Sequence, residues 1–152
     1  MYTCCFTGHR VMSKAEQKEV IPVLEEAVLN AMHQGVTVFR NGGALGFDTL
    51  SALHILGLRK KYPDIKLLID APHKKQSAHW AEMDRDIYDY ILRCADGVNF
   101  VSEQYSANCM QKRNRFMVTH SDMVIAYIRT PRGGSYYTAC YAERMGKTVV
   151  YL

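Results

Sequence analysis

The residues best suited to chemistry in this chain are Gly133, Gly134 and Ser135, with Thr138 one turn on, standing just after an apolar run over residues 123–128. A glycine pair that opens a helix lets the backbone approach an anion closely, and the first-turn N–H groups are free to meet it. Ser135 and Thr138 add hydroxyl donors, although both residue types also serve as ordinary caps. A second glycine-rich stretch, Asn41-Gly42-Gly43-Ala44-Leu45-Gly46-Phe47-Asp48, also feeds a helix. Here Asp48 would either meet a ribose hydroxyl or offset the helix dipole. Gly8-His9-Arg10 ends the opening β run, with Arg10 a candidate phosphate ligand and His9 either a ligand or a loop cap. Arg113 and Arg115 lie two apart on a basic stretch and must point to different faces, so one of them at most faces a cleft. Trp80, with Tyr88 and Tyr105, could stack a base or anchor the core. The chemistry these groups share is phosphate or nucleotide recognition.

Composition narrows the class. The chain has 152 residues, 48% hydrophobic and 22% charged, as expected of one soluble domain able to bury its own core. Its net charge of +4 is too mild for a dedicated duplex-DNA binder. Five cysteines without regular spacing argue against a disulfide framework, and neither they nor the six histidines show metal-ligand spacing. No metal and no resident cofactor are expected. Cys4 and Cys5 are adjacent in an apparent strand and should point to opposite faces. The chain opens directly into that strand, and no apolar run reaches membrane-spanning length, so no membrane partner and a cytoplasmic setting are expected. Assembly into a homo-oligomer is left open.

The elements that must position the candidate groups alternate strand and helix. Strands are expected over residues 2–7, 36–40, 65–69, 97–101, 123–128 and 148–152. Helices are expected over residues 14–34, from the Asp48 loop to about 61, 78–95, from Ser106 or Asn108 onward, and 134–145. Ser13 and Glu16 form a capping box for the first helix, whose apolar face is Val20, Val23, Leu24, Ala27, Val28 and Ala31. Pro22 predicts a kink or break near Val20. The pattern predicts a Rossmann-like three-layer α/β/α fold, with a mostly parallel sheet of about six strands in a single domain over residues 1–152. With strand order 3-2-1-4-5-6, the cleft would lie between the first and fourth strands. It would be lined by the loops at residues 7–10, 42–48, 102–108 and 133–138.

The same residues resemble the SLOG superfamily, which joins the Smf/DprA proteins, the LOG phosphoribohydrolases and short YpsA-like proteins. The segment from Asn41 to Thr49 is similar to the DprA pattern S-G-x-A-x-G-I-D-x. Arg113-Asn114-Arg115 is similar to its R-N-R-I-I, and Gly134-Ser135-Tyr136-Tyr137-Thr138-Ala139 to its G-S-x-x-T-A. Thr7-Gly8-His9-Arg10, and Pro72 with Gln76 and Trp80, resemble the YpsA-like branch. The resemblance implies a domain whose loops hold a nucleotide, a nucleotide-derived molecule or single-stranded nucleic acid. In the LOG pattern, Arg113 and Met117 match the R and M of R-K-x-x-M, and Gly133 and Gly134 match the glycine pair of P-G-G-x-G-T-x-x-E. Cys140 falls where that pattern has its catalytic glutamate, and the nearest acid, Glu143, is three residues on.

Three readings follow. A domain that senses, carries or sequesters a nucleotide-derived ligand leads, followed by an N-glycosidase acting on nucleoside monophosphates or ADP-ribose-like compounds. DprA-like binding of single-stranded DNA is third.

Overall fold

Each strand of the chain but the last is followed by a helix, and all lie parallel to the first, in a computed structural model that describes residues 2–152. The elements are β1 (Tyr2–Gly8), α1 (Lys14–His33), β2 (Val36–Asn41), α2 (Phe47–Leu58), β3 (Lys66–Ala71) and α3 (Glu82–Cys94). They continue with β4 (Gly97–Phe100), α4 (Cys109–Thr119), β5 (Met123–Tyr127), α5 (Gly134–Arg144) and β6 (Thr148–Tyr151). The six strands form one parallel sheet in the order β4-β3-β2-β1-β5-β6. The α/β class, the parallel sheet and the Rossmann-like layering expected from the sequence are all present.

Alternation along the central strands builds the layers. Cys4 and Phe6 of β1 face a large core with α1, α2 and α3, whereas Cys5 faces a smaller core with Met117, Val118, Ala139 and Ala142 of α4 and α5. The adjacent cysteines thus enter different cores, and all five cysteines are free thiols. Burial pushes the Cys5 thiol up to about 12, with an opposing contribution from Ser121. Helix α1 begins with the expected reciprocal cap: the Glu16 N–H donates to Ser13 Oγ at 3.1 Å and the Ser13 N–H to Glu16 Oε1 at 2.9 Å. Val20, Leu24, Ala27, Val28 and Ala31 are buried as read, but Val23 is 41% exposed. The helix runs through Pro22 without a break. One missing donor there is outweighed by the apolar face that flanks it on both sides.

The strand order differs from the expected 3-2-1-4-5-6. Only two residues separate α3 from β4, too few to carry the chain back across the sheet. Asp96 then fixes β4 beside β3: its N–H donates to Leu67 O at 2.8 Å, and its carboxylate accepts from Leu67 N at 2.8 Å and from Arg59 at 2.6 Å. The reversal therefore comes one strand later, through α4, and the switch point lies between β1 and β5. Helix α3 also begins later than expected, at Glu82 rather than Ala78, because residues 74–79 form turns. Trp80 consequently precedes the helix and packs edge-on against Tyr88, ring centroids 5.3 Å apart.

Candidate functional site

At the carboxyl ends of β1 and β5 the sheet opens into a cavity of about 380 Å³. This is where a doubly wound sheet exposes helix N-termini and strand ends together. Gly8, His9 and Arg10 enter it from β1, Asp48 from the start of α2, and Arg113 from α4. Gly133, Gly134 and Ser135 enter from the β5–α5 loop. Three of the four expected loops meet. The loop at 102–108 does not reach this cavity, because β4 stands at the far edge of the sheet. Its residues 103–105 instead border an outer cavity with the 73–80 segment.

The two glycine loops, alike in sequence, are physically opposite. In the loop before α2 three amides are already committed. Gly43 N–H donates to Asn41 Oδ1 at 2.8 Å, Ala44 N–H to Asp48 Oδ2 at 3.2 Å, and Phe47 N–H to His9 O at 3.0 Å. Its glycines are there for close packing. A Cβ on Gly42 would lie 2.5 Å from Arg113 Nη1 and 2.8 Å from Asp48 Oδ2. One on Gly43 would meet the Tyr88 ring at 2.9 Å, and one on Gly46 the Arg10 carbonyl oxygen at 2.4 Å. Gly8 is likewise packed, against the Phe47 ring.

The loop before α5 is open. Nothing lies within 4 Å of a Cβ built on Gly133, and only Asn114 Nδ2, at 4.0 Å, of one on Gly134. The left-handed backbone sits at Gly133, with φ +94°, while Gly134 is the first helical residue. Intrahelical bonding begins with Tyr137 N–H to Gly133 O at 3.1 Å, which leaves the preceding first-turn donors of α5 without helical partners.

His9 fixes the geometry of this open loop. Its Nε2 accepts the Arg129 N–H at 2.7 Å, so the ring proton lies on Nδ1, which reaches Ser135 Oγ at 3.4 Å. With an oxygen lone pair taken by His9, the Ser135 hydroxyl proton is left to donate to a guest. Arg10 is exposed and makes no ion pair among the described residues. Thr138 lies beyond the cavity wall: its hydroxyl donates back to Gly134 O at 2.7 Å, and it borders the adjoining groove between α4 and α5.

Arg113 is buried, 2% exposed, and its guanidinium is largely occupied. Nη1 donates to Gly42 O at 2.6 Å and Asp70 O at 3.2 Å, and Nε donates to Asn114 Oδ1 at 2.8 Å. Burial lowers the guanidinium from its ordinary value, with Asp48 acting against that. Burial likewise raises the Asp48 carboxyl, opposed by Arg113, the Ala44 amide and Arg10. Arg115 points away, over the Tyr141 ring at 5.3 Å from its centroid. Sequence reasoning did not assign Asn114 to the site. Arg113 holds its carbonyl oxygen, which turns its amide nitrogen toward Gly134. Asparagine between two arginines was the available signal, and only the pairing with Arg113 gives it meaning.

Trp80 does not line the central cavity. It borders the outer one and a narrow cleft of about 60 Å³ that leads back to Arg10 and Ala44. Glu143, the nearest acid to the LOG glutamate position, hydrogen-bonds Tyr151 on the outer side of α5. The carboxylate at the cavity is Asp48. Among the described residues no helix is long and apolar enough to cross a membrane.

Comparison with known proteins agrees with this architecture. The SPbeta prophage-derived protein YoqJ of Bacillus subtilis strain 168 is 30% identical over 145 residues, 88% of this chain and 82% of that protein. A UPF0398 protein of Bacillus cereus strain G9842 is 27% identical over 135 residues, 82% of this chain and 73% of its own. Among solved structures, DNA processing protein A of Streptococcus pneumoniae superposes with TM-score 0.69 at 20% identity over 99% of this chain. DNA processing protein A of Helicobacter pylori, described for its single-stranded DNA binding mode, gives 0.67 at 19% identity and the same coverage. The chain spans 50% and 64% of the lengths of those two structures, and the likeness is one of fold. A family model described as the YspA SLOG family (YpsA) matches residues 4–148, and the chain belongs to that family.

Proposed function

We propose that the chain binds a phosphate-bearing, nucleotide-derived ligand, with the phosphate at the start of α5. The observation that carries this reading is the contrast between the two glycine loops: the Gly43, Ala44 and Phe47 amides of the loop before α2 are bonded within the protein, whereas among the described residues the amides from Gly133 to Tyr136 have no hydrogen-bond partner. Free first-turn N–H groups, the Ser135 hydroxyl and the exposed Arg10 converge on one cavity, where their donors and positive charge suit an oxyanion. The role is sensing, carrying or sequestering rather than base release, because the α5 carboxylate of the LOG pattern is replaced by Cys140 and Glu143 is engaged elsewhere. Free thiols fit the reducing cytoplasm expected for such a domain.

Arg10→Ala tests the reading. Its side chain has no hydrogen-bond or ion-pair partner among the described residues, so the melting temperature should stay within about 2 °C, the effect of under 1 kcal/mol in a domain of this size. Affinity for ribose 5-phosphate should fall about tenfold, the size of one charge-assisted hydrogen bond, and the salt dependence of binding should flatten. Unchanged affinity at low salt would remove Arg10 from the site. Single-stranded DNA is the second reading, motivated by the likeness to DNA processing protein A and by the cations and aromatics of the 73–80 segment. Steep salt dependence of oligonucleotide affinity separates it from the first.

A further inference from the structure

Among the described residues Asp48 is the only acid that borders the central cavity. It stands in the first turn of α2, 6% exposed, and forms no ion pair among those residues. Its Oδ2 accepts the Ala44 N–H at 3.2 Å, and no donor among the described residues meets Oδ1. Oδ1 is nonetheless not sealed. The fully buried side-chain atoms that lack a partner are Arg40 Nε, His54 Nε2, Gln76 Oε1 and Ser121 Oγ, and Oδ1 is not one of them. The accessible surface it keeps opens on the central cavity, which is the space this side chain borders.

A bare carboxylate is a poor neighbour for an anion. Like charges in one small cavity repel, and the repulsion is relieved when a proton is shared between them. The cations nearby do not cancel this carboxylate. Arg113 of α4 acts on it, but its Nη1 is bonded to the Gly42 and Asp70 carbonyls. Arg10, which follows β1, acts on it as well, so the cation offered to the ligand stands close to Asp48. The buried Cys5 thiol of β1 feels Asp48, and His9 borders the same cavity. Further out, Asp70 of β3 and Tyr88 of α3 act on Arg113, and Arg40 of β2 acts on Cys5. Burial outweighs both arginines and holds the Asp48 carboxyl above its ordinary value, which makes a proton there easier to keep.

We propose that Asp48 is a specificity-determining residue of the central cavity: its Oδ1 and an oxygen of the bound anion share one proton, so the site selects an oxyanion that carries or takes up a proton over one that does not. Phosphate and phosphate monoesters belong to the first class, sulfate and sulfonates to the second. The assignment rests on the phosphate reading of the Gly133-Gly134-Ser135 loop and adds to it a coupling between ligand and proton. The α5 amides, Ser135 and Arg10 supply attraction to any oxyanion, and Asp48 supplies the discrimination.

The test compares inorganic phosphate with sulfate in mildly alkaline solution, where both are tetrahedral dianions and only phosphate carries a hydroxyl proton. The wild type should bind phosphate about a hundredfold more tightly, since phosphate gains a charge-assisted hydrogen bond to Oδ1 where sulfate meets repulsion. Ribose 5-phosphate, whose second ionisation lies at about 6, arrives without a proton and should take up about one on binding. Calorimetry in buffers of different ionisation enthalpy reads that uptake directly, and affinity should fall about tenfold per pH unit as the medium becomes more alkaline. Asp48→Asn, whose amide can donate to either anion, should bind phosphate and sulfate within about threefold of each other and take up no proton. The two wild-type measurements need no variant, so they decide the matter even where Asp48→Asn folds poorly. Phosphate and sulfate bound equally by the wild type, or ribose 5-phosphate bound without proton uptake, overturns the shared proton and leaves the phosphate reading intact. Discrimination that persists in a folded Asp48→Asn chain overturns the assignment to Asp48. If neither inorganic phosphate nor ribose 5-phosphate binds at any pH, the phosphate reading fails and this inference with it.

Discussion

Replacing Gly134 with valine should separate binding from folding more sharply than any other single change in the chain. On the folding side, the residue is the first of α5, carries ordinary helical φ, and has nothing nearer to an added Cβ than Asn114 Nδ2 at 4.0 Å. Helix propensity differs between glycine and valine by only a few tenths of a kcal/mol. The net change should stay below about 1 kcal/mol, or roughly 2–4 °C in melting temperature for a domain of this size. On the binding side, Gly134 borders both the central cavity and the groove between α4 and α5, so the new side chain enters space a phosphate would use. It would displace the anion from at least two first-turn donors, each worth about 1.5–3 kcal/mol toward a charged oxygen. The loss is roughly 3 kcal/mol or more, over a hundredfold in affinity. Calorimetry with ribose 5-phosphate at low salt, alongside a thermal melt, reads both quantities. Affinity retained in a folded Gly134→Val chain would refute the placement of the anion. Unfolding with Ser135→Ala silent would instead make the glycine pair a packing device.

Two further outcomes are expected. Arg113→Ala should cost about 2–4 kcal/mol of stability in urea unfolding, because it strands the buried Gly42 and Asp70 carbonyls; a variant that melts normally and loses only ligand would show Arg113 to be a contact residue instead. Burial holds the Asp48 carboxyl above its ordinary value, so the folded chain keeps a proton the unfolded chain releases, and stability falls as pH rises through the folded value. Asp48→Asn should therefore gain on the wild type as pH rises from the ordinary carboxylate range and converge with it in acid; a difference in urea midpoints that does not vary with pH would sink this account.

The local features were legible because local forces decide them. The Ser13–Glu16 box, the two faces of Cys4 and Cys5 and the parallel alternation follow from periods of 3.6 and 2. Strand order was not legible, because it turned on the pairing of Asp96 with Leu67 and Arg59, which leaves no mark in hydrophobic patterning. Arg113 was legible as important but not in its role. A guanidinium that meets carbonyl oxygens and one that meets phosphate occupy the same place in a sequence, and burial alone distinguishes them. Gln76 was visible only as part of a resemblance, since an unpartnered acceptor is a property of three-dimensional neighbours.

The two glycine loops show why a motif underdetermines a site. Both place glycines between a strand and a helix, and either could cradle an anion if its amides were free. Asn41 decides the first case: its Oδ1 takes the Gly43 N–H, and its Nδ2 donates to Asp48 O and Ser51 Oγ, folding the loop onto its own helix. Arg113 then fastens that loop to β3 by bridging Gly42 and Asp70. Among the described residues none acts in this way on the second loop. Its tether, His9, reaches Ser135 through a side-chain oxygen and leaves the backbone amides alone. The first loop is thus a rigid wall, and the second is left open toward the central cavity. Substitutions at Gly42, Gly43 and Gly46 should register chiefly in stability, and those at Gly134 and Ser135 chiefly in affinity.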